Sequence, residues 1–285
     1  MTRQDFRFFH PLRVRWAEVD MQKIVFNAHY LMYFDTAVTD YWRALALPYE
    51  ESFELLGGEL YVKKATIEFH ASARYDDQLD VAMKCARIGT SSMSFTGAIF
   101  RGDQLLITGE LVYVFADPAT QTSKPVPPEL RRILTGFEAG EAMVTVKLGP
   151  WAELGVDADR LRKEVFVHEQ GVPPEVESDE ADNTSLHAVA YNGLGQPVAT
   201  GRLLQAVAGR AKIGRMAVTR VLRGSGLGRE VLHALMGAAR ERGDTGIRLH
   251  AQRSAEVFYN RLGFQAEGEP YVEAGITHID MVSEL

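Results

Sequence analysis

Arg223-Gly224-Ser225-Gly226-Leu227-Gly228 lies between a strand-like run, Lys212 to Thr219, and a helix-like run, Arg229 to Arg242. Three glycines at alternate positions let the backbone turn sharply and approach a ligand closely. The helix that follows aims its unpaired N–H groups and the positive end of its dipole at whatever fills the turn. A phosphate-bearing ligand matches that chemistry. The stretch is not a Walker loop, because no Gly-Lys-Ser/Thr closes it. It also misses the dinucleotide fingerprint, whose third glycine would fall at Arg229.

The pattern R-x-x-G-x-G resembles the pyrophosphate loop with which GNAT acetyltransferases grip coenzyme A. Gly214-Arg215-Met216-Ala217-Val218 resembles the strand of that superfamily that splays open and bonds pantetheine through its backbone. Ala255-Glu256-Val257-Phe258-Tyr259-Asn260-Arg261-Leu262-Gly263-Phe264 resembles its A-x-x-F-Y-x-x-x-G-F turn. Val165 to Gln170 and Gly275 to Ile279 are similar to the ElaA-like branch. The resemblance covers residues 142 to 285.

It implies acetyl-CoA or acyl-CoA as the donor substrate and an amine as acceptor. Backbone groups of Met216, Ala217 and Val218 would align the pantetheine arm. Arg223 and the N–H groups of Gly224, Ser225, Gly226, Leu227 and Gly228 would take the pyrophosphate. Tyr259 resembles the tyrosine that protonates the departing thiolate; its competing role is an aromatic core residue beside Phe258. Glu169, His187 and the acidic loop Glu175, Glu177, Asp179, Glu180 are candidates for the amine's general base, and the sequence does not choose among them. If that loop lines the acceptor site, its negative field would favour a cationic amine. His278, in a late strand, reads as a structural histidine.

A second resemblance covers residues 8 to about 135. Arg15-Trp16-Ala17-Glu18-Val19-Asp20 and Val25-Phe26-Asn27-Ala28-His29-Tyr30-Leu31 resemble the opening of YbgC-like and 4-hydroxybenzoyl-CoA thioesterase-like hot-dog proteins. Val62 to Phe69, Ala73 to Asp77 and Gly89-Thr90-Ser91-Ser92 continue the match. Asp20 is similar to the catalytic aspartate of that family, acting as nucleophile or general base. N–H groups at the start of the following helix, from Asn27 and Ala28 to His29 and Tyr30, would polarise the thioester carbonyl. Arg74, Arg87, Ser91 and Ser92 are weaker candidates for contacting coenzyme A. The family often carries Tyr at position 16 and His at 27. Asn27 can donate a hydrogen bond but cannot act as a base. The resemblance also implies a homo-oligomer, a dimer or tetramer through the hot-dog half.

The elements that must position these residues are partly legible. Extended character near Phe9 to Trp16 leads to a long helix with Asn27 as its N-cap and Tyr30, Phe34, Val38, Tyr41 and Leu45 at helical spacing. Pro48 stops that pattern. Extended runs follow at Tyr61–His70, Leu79–Ile88, Ser92–Phe100 and Leu105–Phe115. One helix followed by an antiparallel sheet is an α+β arrangement in which the sheet can wrap the helix. A proline-rich stretch around Asp117 to Pro128 and a short helix at Glu129–Leu134 precede a new strand pattern from Met143, and the boundary is placed near Gly140. Residues 1–140 are thus expected to form the α+β hot-dog domain. Residues 141–285 are expected to form an α/β GNAT domain, a mixed sheet flanked by helices.

At 285 residues the chain has room for two domains. Its net charge of −7 gives no support to nucleic-acid binding or to a polybasic membrane anchor. A single cysteine, Cys85, excludes an internal disulfide. The eight histidines lack metal-ligand spacing, so no metal is expected. No signal-peptide-like start and no run near ~18 apolar residues is visible, which predicts a soluble, cytoplasmic protein. The expectation is a bifunctional acyl-CoA enzyme, a thioesterase followed by an N-acyltransferase. The alternative is an acyl-CoA-sensing regulator or scaffold with one half inactive.

Overall fold

The structure is a computed structural model that describes residues 1–205, 207 and 209–285. The chain divides into two compact units, Met1–Met143 and Val144–Leu285.

In the first unit, β1 (Phe8–Arg13), β2 (Glu59–Phe69), β3 (Gln78–Ile88), β4 (Ser92–Arg101) and β5 (Gln104–Ala116) form one antiparallel sheet in the order β1-β3-β4-β5-β2. Helix α1 (Asn27–Ala44) buries Tyr30, Tyr33, Phe34, Ala37, Val38, Tyr41 and Trp42, a stripe at three- and four-residue spacing. The sheet can wrap this helix because two of its positions carry no side chain. Gly97 and Gly109 face each other across β4 and β5. A Cβ on either would sit 2.4 or 2.7 Å from the Phe34 ring. The hot-dog arrangement expected from the sequence is present.

Local differences have simple causes. The first strand ends at Arg13, and Trp16 begins a 3-10 turn, Trp16–Glu18. Asn27 is not the N-cap: Phe26 is, with its N–H bonded to the Glu18 carbonyl and its own carbonyl accepting from His29 N–H. Pro48 does not end α1, which stops at Ala44; it starts α2 (Tyr49–Leu56) as that helix's N-cap. Helix α3 (Pro128–Ala139) runs five residues past the expected Leu134, as far as the left-handed Gly140.

The second unit is a seven-stranded mixed sheet, β11-β12-β10-β9-β8-β7-β6, as the GNAT expectation requires. Its strands are β6 (Val144–Pro150), β7 (Leu186–Asn192), β8 (Pro197–Leu203), β9 (Arg210–Val218), β10 (Gly246–Gln252), β11 (Gln265–Glu273) and β12 (Ile276–Glu284). Only β9 and β10 are parallel. Helices are α4 (Trp151–Arg162), α5 (Pro174–Glu177), α6 (Leu227–Arg242) and α7 (Glu256–Asn260). A π-helical turn, Lys163–Glu169, continues α4. Gly201 lets α6 close on one face: a Cβ there would meet Met216, Leu235 and Val231. Its neighbour Arg202 points to the other face, where Asp182 joins it to Arg162 of α4.

Candidate functional sites

Two irregularities in β9 build the site of the second unit. Thr200 pairs with Ala217 but Arg202 pairs with Gly214, so β9 carries one extra residue against β8. Arg215 stands in this bulge with a φ of +53°. On the other side, β9 and β10 pair from Arg210 and Gly246 only as far as Ile213 and Leu249. Beyond that point the parallel strands part, which leaves backbone groups of Met216 to Val218 unclaimed by β10.

The glycine turn follows directly. Gly224 and Gly226 have φ of +84° and +94°, conformations that L side chains rarely adopt. Gly226 caps α6, which starts at Leu227 rather than Arg229, so Leu227 and Gly228 are in its first turn and lack intrahelical acceptors for their N–H groups. The Ser225 hydroxyl is turned back onto the Leu222 carbonyl. The Arg223 guanidinium is held by both oxygens of Glu169, each at 2.6 Å.

A cleft of about 320 Å³ opens where the strands part. Met216 and Tyr259 both line it. Tyr259 is 7% exposed, and burial pushes its phenol up to about 12, so it is a proton donor across the physiological range. Its ring also packs on Phe258 and Phe264, so its core and site positions coincide.

Three groups in the cleft were not singled out in the sequence. Lys212 and His250 stand 3.5 Å apart on neighbouring strands. The His250 imidazole is held below its ordinary pKa by burial and by Lys212. Lys212 is itself lowered, chiefly by burial. Arg215 is the third. Of the candidates that were named, Glu177 and Asp179 line the cleft, whereas Glu169 is paired with Arg223, and His187 is buried against Trp151 with its Nε2 at the Asp182 carbonyl. His278 bonds the Ile276 carbonyl through Nδ1 and stacks on Tyr271. Nor is the acidic loop a free negative field. Glu177 and Asp182 hold the buried Arg162, and Asp179 and Asp182 hold Arg202.

In the first unit Asp20 opens the loop of a small hairpin closed by the Val19–Val25 bridge, its N–H bonded to the Ile24 carbonyl. Its Oδ1 accepts the Gln22 N–H at 2.8 Å. The hairpin is fixed to the start of α1 by Glu18, a buried carboxylate. Glu18 accepts from the Arg15 N–H and Nε at 2.7 Å each and from the Tyr33 hydroxyl at 2.8 Å. Burial works to raise its pKa, but these donors outweigh it and the net shift is downward. Asn27 and Ala28 are exposed in the first turn of α1, and His29 is half-buried. The Tyr30 side chain belongs to the core, with its hydroxyl accepting the Ala73 N–H at 3.0 Å.

Ser91 and Ser92 do not join this group. The Asp20 hairpin lies by Ala73, at the Gln78 end of β3, since Val25 N–H bonds the Ala73 carbonyl. The serines lie past Ile88, Ser91 in the turn and Ser92 opening β4. Eleven residues of strand separate the two ends, about 33 Å. Among the described residues, no group of three or more His, Cys, Asp or Glu is placed to hold a metal, and no helix is long and apolar enough to cross a membrane.

The chain thus joins an antiparallel sheet wrapped on one helix to a mixed sheet that parts beside a glycine-bounded helix start. The Acetyltransferase (GNAT) domain family matches residues 150–285, and the Thioesterase-like superfamily matches residues 14–134. A Bacillus subtilis relative, named as the uncharacterized N-acetyltransferase YjcF, is 40% identical over 129 residues, 45% of this chain and 91% of that protein. The acyl-CoA thioester hydrolase YbgC of Escherichia coli O6:H1 is 27% identical over 127 residues, 43% of this chain and 92% of its own length. The crystal structure of a putative N-acetyltransferase from Lactobacillus plantarum is 29% identical, with a TM-score of 0.48, over 50% of this chain and 99% of that one. The chain belongs to the GNAT acetyltransferases through its second half, and its first half is similar to the thioesterase-like, hot-dog proteins.

Proposed function

We propose that the protein is a bifunctional acyl-CoA enzyme. Its first half hydrolyses an acyl-CoA thioester, and its second transfers an acetyl or acyl group from coenzyme A to an amine. The observation that carries the second activity is that Met216, where the strands part, and the buried phenol of Tyr259 line one cleft, while β9 leads on to the glycine turn before α6. The similarity to YbgC, named as an acyl-CoA thioester hydrolase, supports the first.

In the transferase half, backbone groups of Met216 to Val218 hold the pantetheine arm. Arg223 and the N–H groups of Gly224 to Gly228 take the pyrophosphate. The neutral imidazole of His250 removes a proton from the acceptor ammonium, the amine nitrogen attacks the thioester carbonyl, the tetrahedral adduct gives the second nitrogen proton to water, and the carbon–sulfur bond breaks. Tyr259 gives its proton to the thiolate and is reprotonated from water. In the hydrolase half, Asp20 takes the proton of an attacking water, or attacks the carbonyl itself to form an anhydride that water then opens; the carbon–sulfur bond breaks and the coenzyme A thiolate leaves and is protonated by water. The N–H groups opening α1 at Asn27 and Ala28 stabilise the oxyanion. Since Ser91 and Ser92 lie about 33 Å away along β3, their contact with the same ligand requires a second copy of the chain. The exposed apolar side chains at Trp16, Met21, Phe26 and Phe69, near the hairpin, support a homo-oligomer.

The test is free-thiol release from acetyl-CoA and longer acyl-CoAs, with and without a panel of amines. Amine-independent release is expected to vanish in Asp20→Asn, and amine-dependent release in Tyr259→Phe. If the wild type and Asp20→Asn release thiol at equal rates, the first half is a sensor rather than a hydrolase.

A further inference from the structure

Arg215 is an arginine at a backbone position that disfavours any side chain. Its φ of +53° coincides with the β9 bulge, and the bulge turns the residue over the cleft. Three guanidinium groups meet three carboxylates on this wall. Arg162 takes Glu177 and Asp182; Arg202 takes Asp182 and both oxygens of Asp179, at 2.6 and 2.9 Å. Arg215 is left with a share of Asp179, at 3.1 Å, and the Val176 carbonyl at 3.0 Å.

The wall is therefore short of acceptors. The Nε–H groups of Arg215 and Arg202 are buried without partners, against a single unpartnered acceptor, Glu177 Oε2. Lys212 lies further along the same wall, and among the described residues no carboxylate comes within ion-pair distance of it. Buried donors of this kind are costly unless a ligand supplies the missing acceptor. His250, 3.5 Å from Lys212, and the exposed Glu273 beside it also line the cleft.

Resting on the assignment of this cleft to the acceptor of an acyltransferase, we infer that the acceptor is a small amino-carboxylate such as an amino acid. Its carboxylate is received by Arg215 and Lys212, and its amino group is turned toward His250 and Glu273. A polyamine would meet Arg202, Arg215 and Lys212 with like charge, because the carboxylates of the acidic loop are already engaged. The cleft volume of about 320 Å³ sits at the small end of the ~300–1,000 Å³ typical of small-molecule pockets.

The experiment compares kcat/KM for phenylalanine, histidine, lysine and glutamate with phenethylamine, histamine, cadaverine and 4-aminobutyrate, which lack the α-carboxylate. The full-length protein should prefer at least one acid over its decarboxylated partner by about tenfold or more. That ratio should collapse toward one in Arg215→Gln and survive in part in Arg215→Lys, with the affinity for coenzyme A reporting that the fold is kept. Preference for the decarboxylated amines, or an equal loss on both series in Arg215→Gln, overturns the inference. If no amine promotes thiol release, the transfer activity itself fails. Calorimetry of the same acids against protein saturated with coenzyme A then decides the anchor. Heat that Arg215→Gln abolishes upholds it, and no heat with wild type ends it.

Discussion

Glu169 holds Arg223 through both of its carboxylate oxygens, each 2.6 Å from a terminal guanidinium nitrogen. Hydrogen bonding from Arg223 is the first cause of the lowered Glu169 pKa, so the carboxylate stays ionised through the neutral range. Arg223 is also the side chain proposed to meet the coenzyme A pyrophosphate. The π-helical turn Lys163–Glu169 sets this competition by presenting Glu169 to the loop before α6. A partly exposed pair of this kind contributes at most about 1 kcal/mol. Glu169→Gln is therefore expected to tighten coenzyme A binding, by up to about fivefold, while Arg223→Ala weakens it. Calorimetric titration of both variants checks the pair, and weaker binding in Glu169→Gln would show that the carboxylate positions Arg223 instead of occupying it.

Burial pushes the Tyr259 phenol up to about 12, so it keeps its proton through the neutral range. Removing only the hydroxyl in Tyr259→Phe should lower kcat for amine-dependent thiol release by about 10²-fold or more and leave KM for acetyl-CoA nearly unchanged. The acid limb of the wild-type pH profile should then belong to His250, which loses its proton below the ordinary histidine value because of burial and Lys212. Activity should persist into mildly acidic solution. In Lys212→Met the limb should move to higher pH, since removing the neighbouring charge lets the imidazolium persist. A limb that does not move excludes His250 as the base.

Glu18 ties the hairpin that carries Asp20 to the start of α1. Its carboxylate satisfies the Tyr33 hydroxyl and the Arg15 N–H, and its carbonyl anchors the Phe26 N–H that starts α1. Glu18→Ala strands two donors, each costing about 1–3 kcal/mol when buried and unpaired. Thermal unfolding should register this loss. Thioester hydrolysis should also fall in kcat more than in KM, because the Asp20 hairpin is no longer pinned against the helix start. An unchanged kcat would mean that the hairpin holds itself.

These relationships mark the limit of what the sequence discloses. The four later strands of the first unit fall within a few residues of their expected ends, because apolar alternation and flanking turn residues are local signals. The glycine turn was legible for the same reason. The arginine wall was not: Arg162, Glu177, Asp182, Arg202 and Arg215 come from separate elements and meet only when α4 closes on the sheet. An acidic run at Glu175 to Glu180 looks solvated until its partners fold onto it. Arg215 carried no mark of a bulge, because glycine, the usual sign of a positive φ, is absent there. His250 lies in an ordinary amphipathic strand and gains meaning only where β9 and β10 part.

Asp179 ties the arginine wall to acid stability. Hydrogen bonds from Arg202 are the largest cause of its depressed pKa, which falls from 3.8 to about 2 in the folded chain, with burial opposing and the charges of Arg202 and Arg215 assisting. Above about pH 4 the side chain is ionised in both folded and unfolded states, and its stabilisation is fully present. As pH falls from about 4 toward 2 the unfolded chain takes up a proton that the folded chain refuses, and the stabilisation is lost. Asp179→Asn should therefore be less stable than wild type at neutral pH, with the gap narrowing below about pH 4 and closing near pH 2. Hydrogen exchange of the β7 and β8 amides reads this within the second unit alone. A gap of constant size down to acid pH would show that Asp179 contributes through packing and not through its charge.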